Sequence, residues 1–134
     1  MEGFYLDTSI WLDFYEQRGV NGEEVMKLIT KIIQKNYLLA YSDLHIKEFK
    51  NLSYSHQEII AILAIVKKDK LRHIHIHGGQ IKEALSLARQ RKIPKKDALH
   101  AILCRDNNLQ LIARDPHFEK LKDISLYKIP ESVT

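Results

Sequence analysis

Short apolar runs that read as strands alternate along this chain with longer segments of helical periodicity, and that alternation leaves few folds open. A helix between two strands must cross one face of a sheet and return the chain parallel to its start. The strand candidates are Phe4 to Leu6, Tyr37 to Tyr41, Leu71 to Ile76, Leu109 to Ala113 and Leu126 to Ile129. The expectation is an α/β fold with a central parallel sheet. With 134 residues and no repeat, linker or low-complexity tract, the chain makes one domain over residues 1–134. A chain of that size buries roughly two-thirds of its unfolded surface.

The helices are punctuated in the sequence. Thr8-Ser9 reads as the cap of a short helix carrying Ile10, Trp11, Leu12 and Phe14. Asn21 and Glu24 resemble a capping box ahead of Val25, Leu28, Ile29, Ile32 and Ile33, with Asn36 as the stop. Ser42 reads as the N-cap of the next helix, with Asp43 in its first turn and Glu48 between one and two turns in. Ser55 and Glu58 form a clear capping box. Behind it, Ile59, Ile60, Ile62, Leu63, Ile65 and Val66 are apolar over more than one face, which fits deep burial or a homodimer contact. Gly78-Gly79 breaks the third strand, and Ile81, Ala84, Leu85 and Ala88 mark another helix. Pro94 suits the first turn of the one after it, and Asn107-Asn108 can supply a left-handed stop.

Composition excludes several classes. Apolar residues are 45% and charged residues 28%, an ordinary globular balance. No apolar run approaches the ~18 residues that span a bilayer. No basic stretch precedes an apolar one at the N-terminus, so no secretory signal is expected, and the single Cys104 forms no internal disulfide. The expected location is the cytoplasm, with no membrane partner. Net charge is +4, but residues 67–96 alone carry +8. A basic flank on an acidic remainder suits a polyanion such as RNA or DNA, and equally a solvated lysine-rich surface.

Four carboxylates occupy the hinges between elements: Asp7, Glu48, Asp97 and Asp115. Asp7 follows the first strand, and Asp115 lies just past the fourth. If those strands are neighbours, their C-terminal ends bring both acids to one rim, where open α/β sheets build their sites. Glu48 and Asp97 would come from helices over the same rim. Singly, each has an ordinary explanation as a cap, a dipole partner or a surface acid. Together they make an all-oxygen donor set with no cysteine and no obvious histidine, which selects a hard cation, Mg²⁺ or Mn²⁺. Such an ion activates water and steadies charge on a phosphodiester.

The sequence at these acids resembles a known family. Phe4-Tyr5-Leu6-Asp7-Thr8-Ser9-Ile10-Trp11 resembles the opening of a PIN domain, and Ser42 through Glu48-Phe49 its second acidic element. The most specific part is Ile93-Pro94-Lys95-Lys96-Asp97-Ala98-Leu99-His100-Ala101, followed by Leu111-Ile112-Ala113-Arg114-Asp115-Pro116-His117-Phe118. In size and shape the chain is similar to VapC-like toxins and stand-alone PIN proteins. The resemblance implies a Rossmann-like three-layer α/β/α sandwich. It implies a metal-dependent endoribonuclease that leaves a 5′-phosphate and a 3′-hydroxyl, the toxin of a type II toxin–antitoxin pair. An RNA-processing PIN nuclease without a toxic role, or a catalytically silent PIN-like binding module, are the alternatives. On the family pattern Asp7 and Asp97 are the main metal ligands, Glu48 and Asp115 complete the cluster, and Thr8 and Ser9 support it. Many relatives have threonine or serine where this chain has Ala113. A cognate antitoxin would lie over the acidic groove.

Other residues complete the reading. Lys95, Lys96 and Arg114 flank two of the acids and could hold phosphates of an RNA substrate. Trp11 and Phe14 are expected in the core, Asp13 at the surface, and Cys104 as a buried thiol. His100, three residues after Asp97, suits a packing or supporting role. His73, His75 and His77 would line one face of a strand and could bind a transition metal, but no nearby cysteine or acid completes a tetrahedral set, and a half-exposed strand edge is the favoured reading.

Overall fold

The computed structural model describes residues 3–133. Among them, five strands form one parallel sheet: β1 (Gly3–Leu6), β2 (Leu38–Ser42), β3 (Leu71–Ile74), β4 (Leu109–Ile112) and β5 (Tyr127–Lys128), in the order β3-β2-β1-β4-β5. The expected strands are all present: β1 gains Gly3, β2 is shifted by one residue, and β3, β4 and β5 are shorter by one or two. Helices α1 (Thr8–Tyr15), α2 (Gly19–Gln34), α3 (Asp43–Asn51), α4 (His56–Leu63), α5 (Gly78–Arg91) and α6 (Lys95–Asp106) cover the sheet. The fold is the Rossmann-like three-layer α/β/α sandwich.

Two cores flank the sheet, because side chains alternate between its faces. Phe4, Leu6, Leu39 and Ile112 face α1, α2 and α4, meeting Ile10, Trp11, Leu28, Ile32, Ile59 and Ile62. Tyr5, Ala40, Leu111 and Ala113 face α5 and α6, meeting Leu87, Ala98, Leu99, Ile102 and Cys104. Helix α6 is buried nearly all round, from Asp97 to Cys104. Helix α4 has one buried side, Ile59, Ile62 and Leu63, and leaves Ile60 56% exposed, which explains why its sequence looked apolar on more than one face.

Several local readings are corrected. Asp7, not Thr8 or Ser9, caps α1. Helix α2 begins at Gly19, ahead of the expected cap Asn21. Gly22 lets α2 press on α1, since a Cβ there would lie 2.6 Å from the Asp13 carbonyl oxygen. Gly78 and Gly79 open α5 rather than preceding it, with His77 as its N-cap. Phe14 is only part-buried, while Trp11 is core as expected. Asp13 is buried, not superficial, and faces Arg18 and Arg114. The stops at Asn36 and Asn108 are as read, with φ of 60° and 53° in the left-handed region that asparagine tolerates.

The basic segment does not form one track. Lys67 and Lys70 line a recess with Asn36 and Tyr37, ahead of β2 and β3 and so at the opposite end of the sheet from Asp7. Arg91 is committed to Asp123 and to the Lys120 carbonyl.

Candidate active site

β1 and β4 are neighbours in register, Leu6 opposite Ile112, and the Asp7 N–H donates to the Ile112 carbonyl at 2.9 Å. Strands ending together place their next residues on one rim. Asp7 turns back on itself there, its Oδ1 accepting from the Thr8 N–H at 2.9 Å and its Oδ2 from the Ser9 hydroxyl at 3.3 Å. Beyond β4, Asp115 caps a 3₁₀ helix (Pro116–Leu121), its Oδ1 accepting from the His117 N–H at 2.9 Å. Asp97 enters from the first turn of α6 and is 3% exposed. Glu48 enters from α3. All four acids line one recess of about 290 Å³, with Thr8, Ser9, Arg18 and Lys96 on its walls.

Two imidazoles beneath the rim organise these acids. His100 is fully buried. Its Nε2 lies 2.6 Å from Glu48 Oε1 and 3.7 Å from Asp7 Oδ1, and its Nδ1 lies 2.6 Å from the Tyr5 hydroxyl. Tyr5 continues to the Ser42 hydroxyl at 2.9 Å. Burial opposes a charge on His100, but Glu48, Asp7 and Asp97 outweigh it, and its pKa is raised. His45, also fully buried, has the opposite character. Its Nδ1 accepts from the Ser42 N–H at 3.0 Å, so Nε2 holds the proton and donates to the Leu6 carbonyl at 2.6 Å. Burial and the neighbouring His100 charge keep His45 neutral, well below the usual histidine range. It therefore ties the start of α3 to the end of β1, fixing Glu48 relative to Asp7.

The acids divide electrostatically. Burial pushes Asp97 up to about 6, with the charges of Asp7 and Asp115 acting in the same direction and His100 and His117 opposing. Burial also raises Asp7, helped by Glu48 and opposed by His100. Glu48 ends lower than an ordinary glutamate: burial raises it, but the His100 hydrogen bond and charge, the Thr8 hydroxyl and Lys96 outweigh that. Burial first, and like charge second, thus disfavours ionisation of Asp97 and Asp7, while Glu48 is compensated.

The structure brings to the acids a histidine that sequence reasoning did not consider. His117 Nδ1 lies 3.0 Å from both Asp97 Oδ2 and Asp115 Oδ1, and these three residues are grouped closely enough to share an ion. The one local signal was its place two residues after the cap Asp115, whose carboxylate its backbone N–H meets. Arg114 is held by Glu131 and approaches Asp13 at 3.9 Å, so its guanidinium is engaged by protein carboxylates. Lys95 and Lys96 border a second groove of about 360 Å³, between α3 and α6, which shares Glu48 and Lys96 with the acidic recess. A larger groove, about 550 Å³, is lined mainly by apolar residues such as Phe14, Met26, Ala61 and Ile65, and the convergent acids are not part of it.

A parallel α/β/α sandwich whose strand ends gather four carboxylates over a buried imidazole is a defined class of domain. The chain belongs to the PIN domain family, whose pattern matches residues 4–124. No curated protein matches it. Among solved structures, it is similar to VapBC2 from Rickettsia felis, bound to a DNA fragment from their promoter, with TM-score 0.70 and 17% identity, covering 94% of this chain and 97% of that one. It is also similar to a toxin–antitoxin complex from Klebsiella pneumoniae, with TM-score 0.58 and 19% identity over 87% and 90% of the two chains. PAE2754 from Pyrobaculum aerophilum aligns with TM-score 0.57 and 18% identity over 99% and 95%. Among the described residues no helix is long and apolar enough to cross a membrane.

Proposed function

We infer that this protein is a divalent-metal-dependent endoribonuclease and the toxin of a type II toxin–antitoxin pair, acting in the cytoplasm. The observation that carries the reading is the convergence of Asp7, Glu48, Asp97 and Asp115 on one recess, with Asp97 pushed up to about 6 by burial and by Asp7 and Asp115. Carboxylates that resist ionising together are the expected state of a site whose missing charge is a cation's. The donor set is carboxylate oxygen and fits Mg²⁺ or Mn²⁺, which Asp7, Asp97, Glu48 and Asp115 would hold, with Thr8 and Ser9 as support. When bound, such an ion supplies a Lewis acid and an activated water at a phosphodiester.

The chain's own residues do the rest. His100 and the Thr8 N–H hold Glu48 and Asp7 in place from below. Lys95 and Lys96, on the groove that continues from Glu48, would receive the phosphates of an RNA strand. Arg114 would join them only by leaving Glu131.

Incubation of purified protein with RNA in Mg²⁺ or Mn²⁺ tests the reading. The expected result is cleavage with 5′-phosphate ends, lost in Asp7→Asn and Asp97→Asn. Folded protein that cleaves in neither metal is a silent PIN-like binding module. Cleavage without growth arrest on expression is an RNA-processing nuclease. The likeness to two structures described as VapBC2 and as a toxin–antitoxin complex favours an antitoxin partner. The exposed Ile60 on α4 supports a homodimer contact.

A further inference from the structure

A second group of metal-ligating side chains lies outside the acidic recess, at the edge of the sheet. β3 is an edge strand paired with β2, Tyr41 opposite His73 and Ser42 opposite Ile74. His73 and His75, two residues apart, leave it on the same side, and their rings stand 4.3 Å apart. The acid that joins them is not a sequence neighbour but one that the strand register delivers. Directly after Ser42 the chain turns into α3, which delivers Asp43 beside both histidines. Asp43 Oδ1 lies 2.6 Å from His73 Nε2, and Asp43 Oδ2 lies 3.6 Å from His75 Nδ1. One donor atom from each of the three lies within 4.8 Å of the other two. The histidines stand at the exposed edge of the sheet, as the sequence predicts, with Asp43 added beside them. His77 stands apart from them, as the cap of α5.

We propose that Asp43, His73 and His75 form a binding site for a divalent transition ion of the zinc type, separate from the acidic recess. Two imidazole nitrogens and one carboxylate suit such an ion, whereas Mg²⁺ prefers oxygen alone. The site is partly organised in advance. The Tyr41 ring stacks on His73 at 4.7 Å with 3° between the planes, which fixes the imidazole, and Asp43 is held in the first turn of a helix. An ion bound between them would replace the His73–Asp43 contact. All three residues are exposed, so entry is open and water can fill the remaining coordination position. A bound ion would clip the edge strand β3 to the start of α3. Asp43 also borders the groove that holds Glu48, Lys95 and Lys96, so the ion would add positive charge at its rim.

Titration of the full chain, free of any histidine tag and stripped with chelator, tests this with Zn²⁺ by calorimetry and Co²⁺ by visible absorption. The expected result is a binding event that persists in Asp97→Asn and in His117→Ala, apart from any ion taken up by the acidic recess. It should weaken about tenfold or more in His75→Ala and in Asp43→Asn, the scale on which even outer partners of metal ligands matter. In the Asp97→Asn background Zn²⁺ should raise the thermal midpoint, and that rise should be lost when His75→Ala, itself a surface change, is added. Affinity unaltered in both His75→Ala and Asp43→Asn overturns the proposal. So does binding abolished by Asp97→Asn or His117→Ala, which would assign the ion to the acidic recess. No binding at millimolar metal overturns it too, leaving His73 and Asp43 as an ion pair alone.

Discussion

His100 reaches Glu48 from beneath the acidic recess, Nε2 to Oε1 at 2.6 Å, and so places a buried positive charge under four convergent carboxylates. That contact holds Glu48 below the ordinary glutamate range, while burial raises Asp97 and Asp7. The site is divided into a neutralised half and an unsatisfied half.

Asp97→Asn should abolish metal-dependent cleavage and at the same time stabilise the metal-free protein. The asparagine removes a carboxylate that burial, Asp7 and Asp115 all disfavour. A gain of about 1–2 kcal/mol at pH 7.5 is expected in urea denaturation without metal. Loss of stability would show that the carboxylate is already compensated.

Metal-free stability should fall as pH rises through the range in which Asp97 ionises. Its folded value, about 6, lies above the ordinary 3.8, so between these the folded protein binds the extra proton. The stabilisation is therefore complete below the ordinary value and lost as pH climbs past about 6. Mg²⁺ should restore it at neutral pH. Thermal melts from pH 4 to pH 8, with and without Mg²⁺, check both halves; a flat metal-free profile would contradict a crowded pocket.

His100→Leu should destabilise the fold by about 2–4 kcal/mol near neutral pH, because it strands the charges of Glu48 and Asp7. The cost is expected to be greatest between the ordinary glutamate value of 4.5 and the ordinary histidine value of 6.5. Below that window the depressed Glu48 loses its contribution as it protonates. Above it the raised His100 loses its own as it deprotonates. A cost independent of pH would assign His100 to packing only.

Lys95→Gln and Lys96→Gln should each weaken RNA binding uniformly across sequences. Each should also reduce the dependence of log affinity on log salt by about 0.7–0.9. Arg114→Gln should change binding less, since Glu131 already holds the guanidinium. Fluorescence anisotropy at several salt concentrations, in the Asp7→Asn background, separates the three.

Gly22→Ala should cost about 1–3 kcal/mol, because its Cβ would meet the Asp13 carbonyl oxygen at 2.6 Å and push α2 off α1. Chemical denaturation measures it directly, and an unchanged midpoint would mean that the two helices can separate freely.

The alternation of strand and helix, and the stops at Asn36 and Asn108, were readable from the chain because they depend on local patterning and backbone sterics. Asp7 and Asp115 could be brought to one rim on paper because parallel strands end together. What sequence could not show was anything set by contacts between distant segments. His117 closes on Asp97 across 20 residues, His100 on Glu48 across 52, and Asp43 on His73 across 30. Asp13 looked superficial until α2 and Arg114 covered it. Local chemistry decides which elements form and where each chain turn falls. Only the register of β2 against β3, and of β1 against β4, decides which side chains those turns deliver to one another, because a hydrogen-bonded ladder fixes neighbours that have no proximity along the chain.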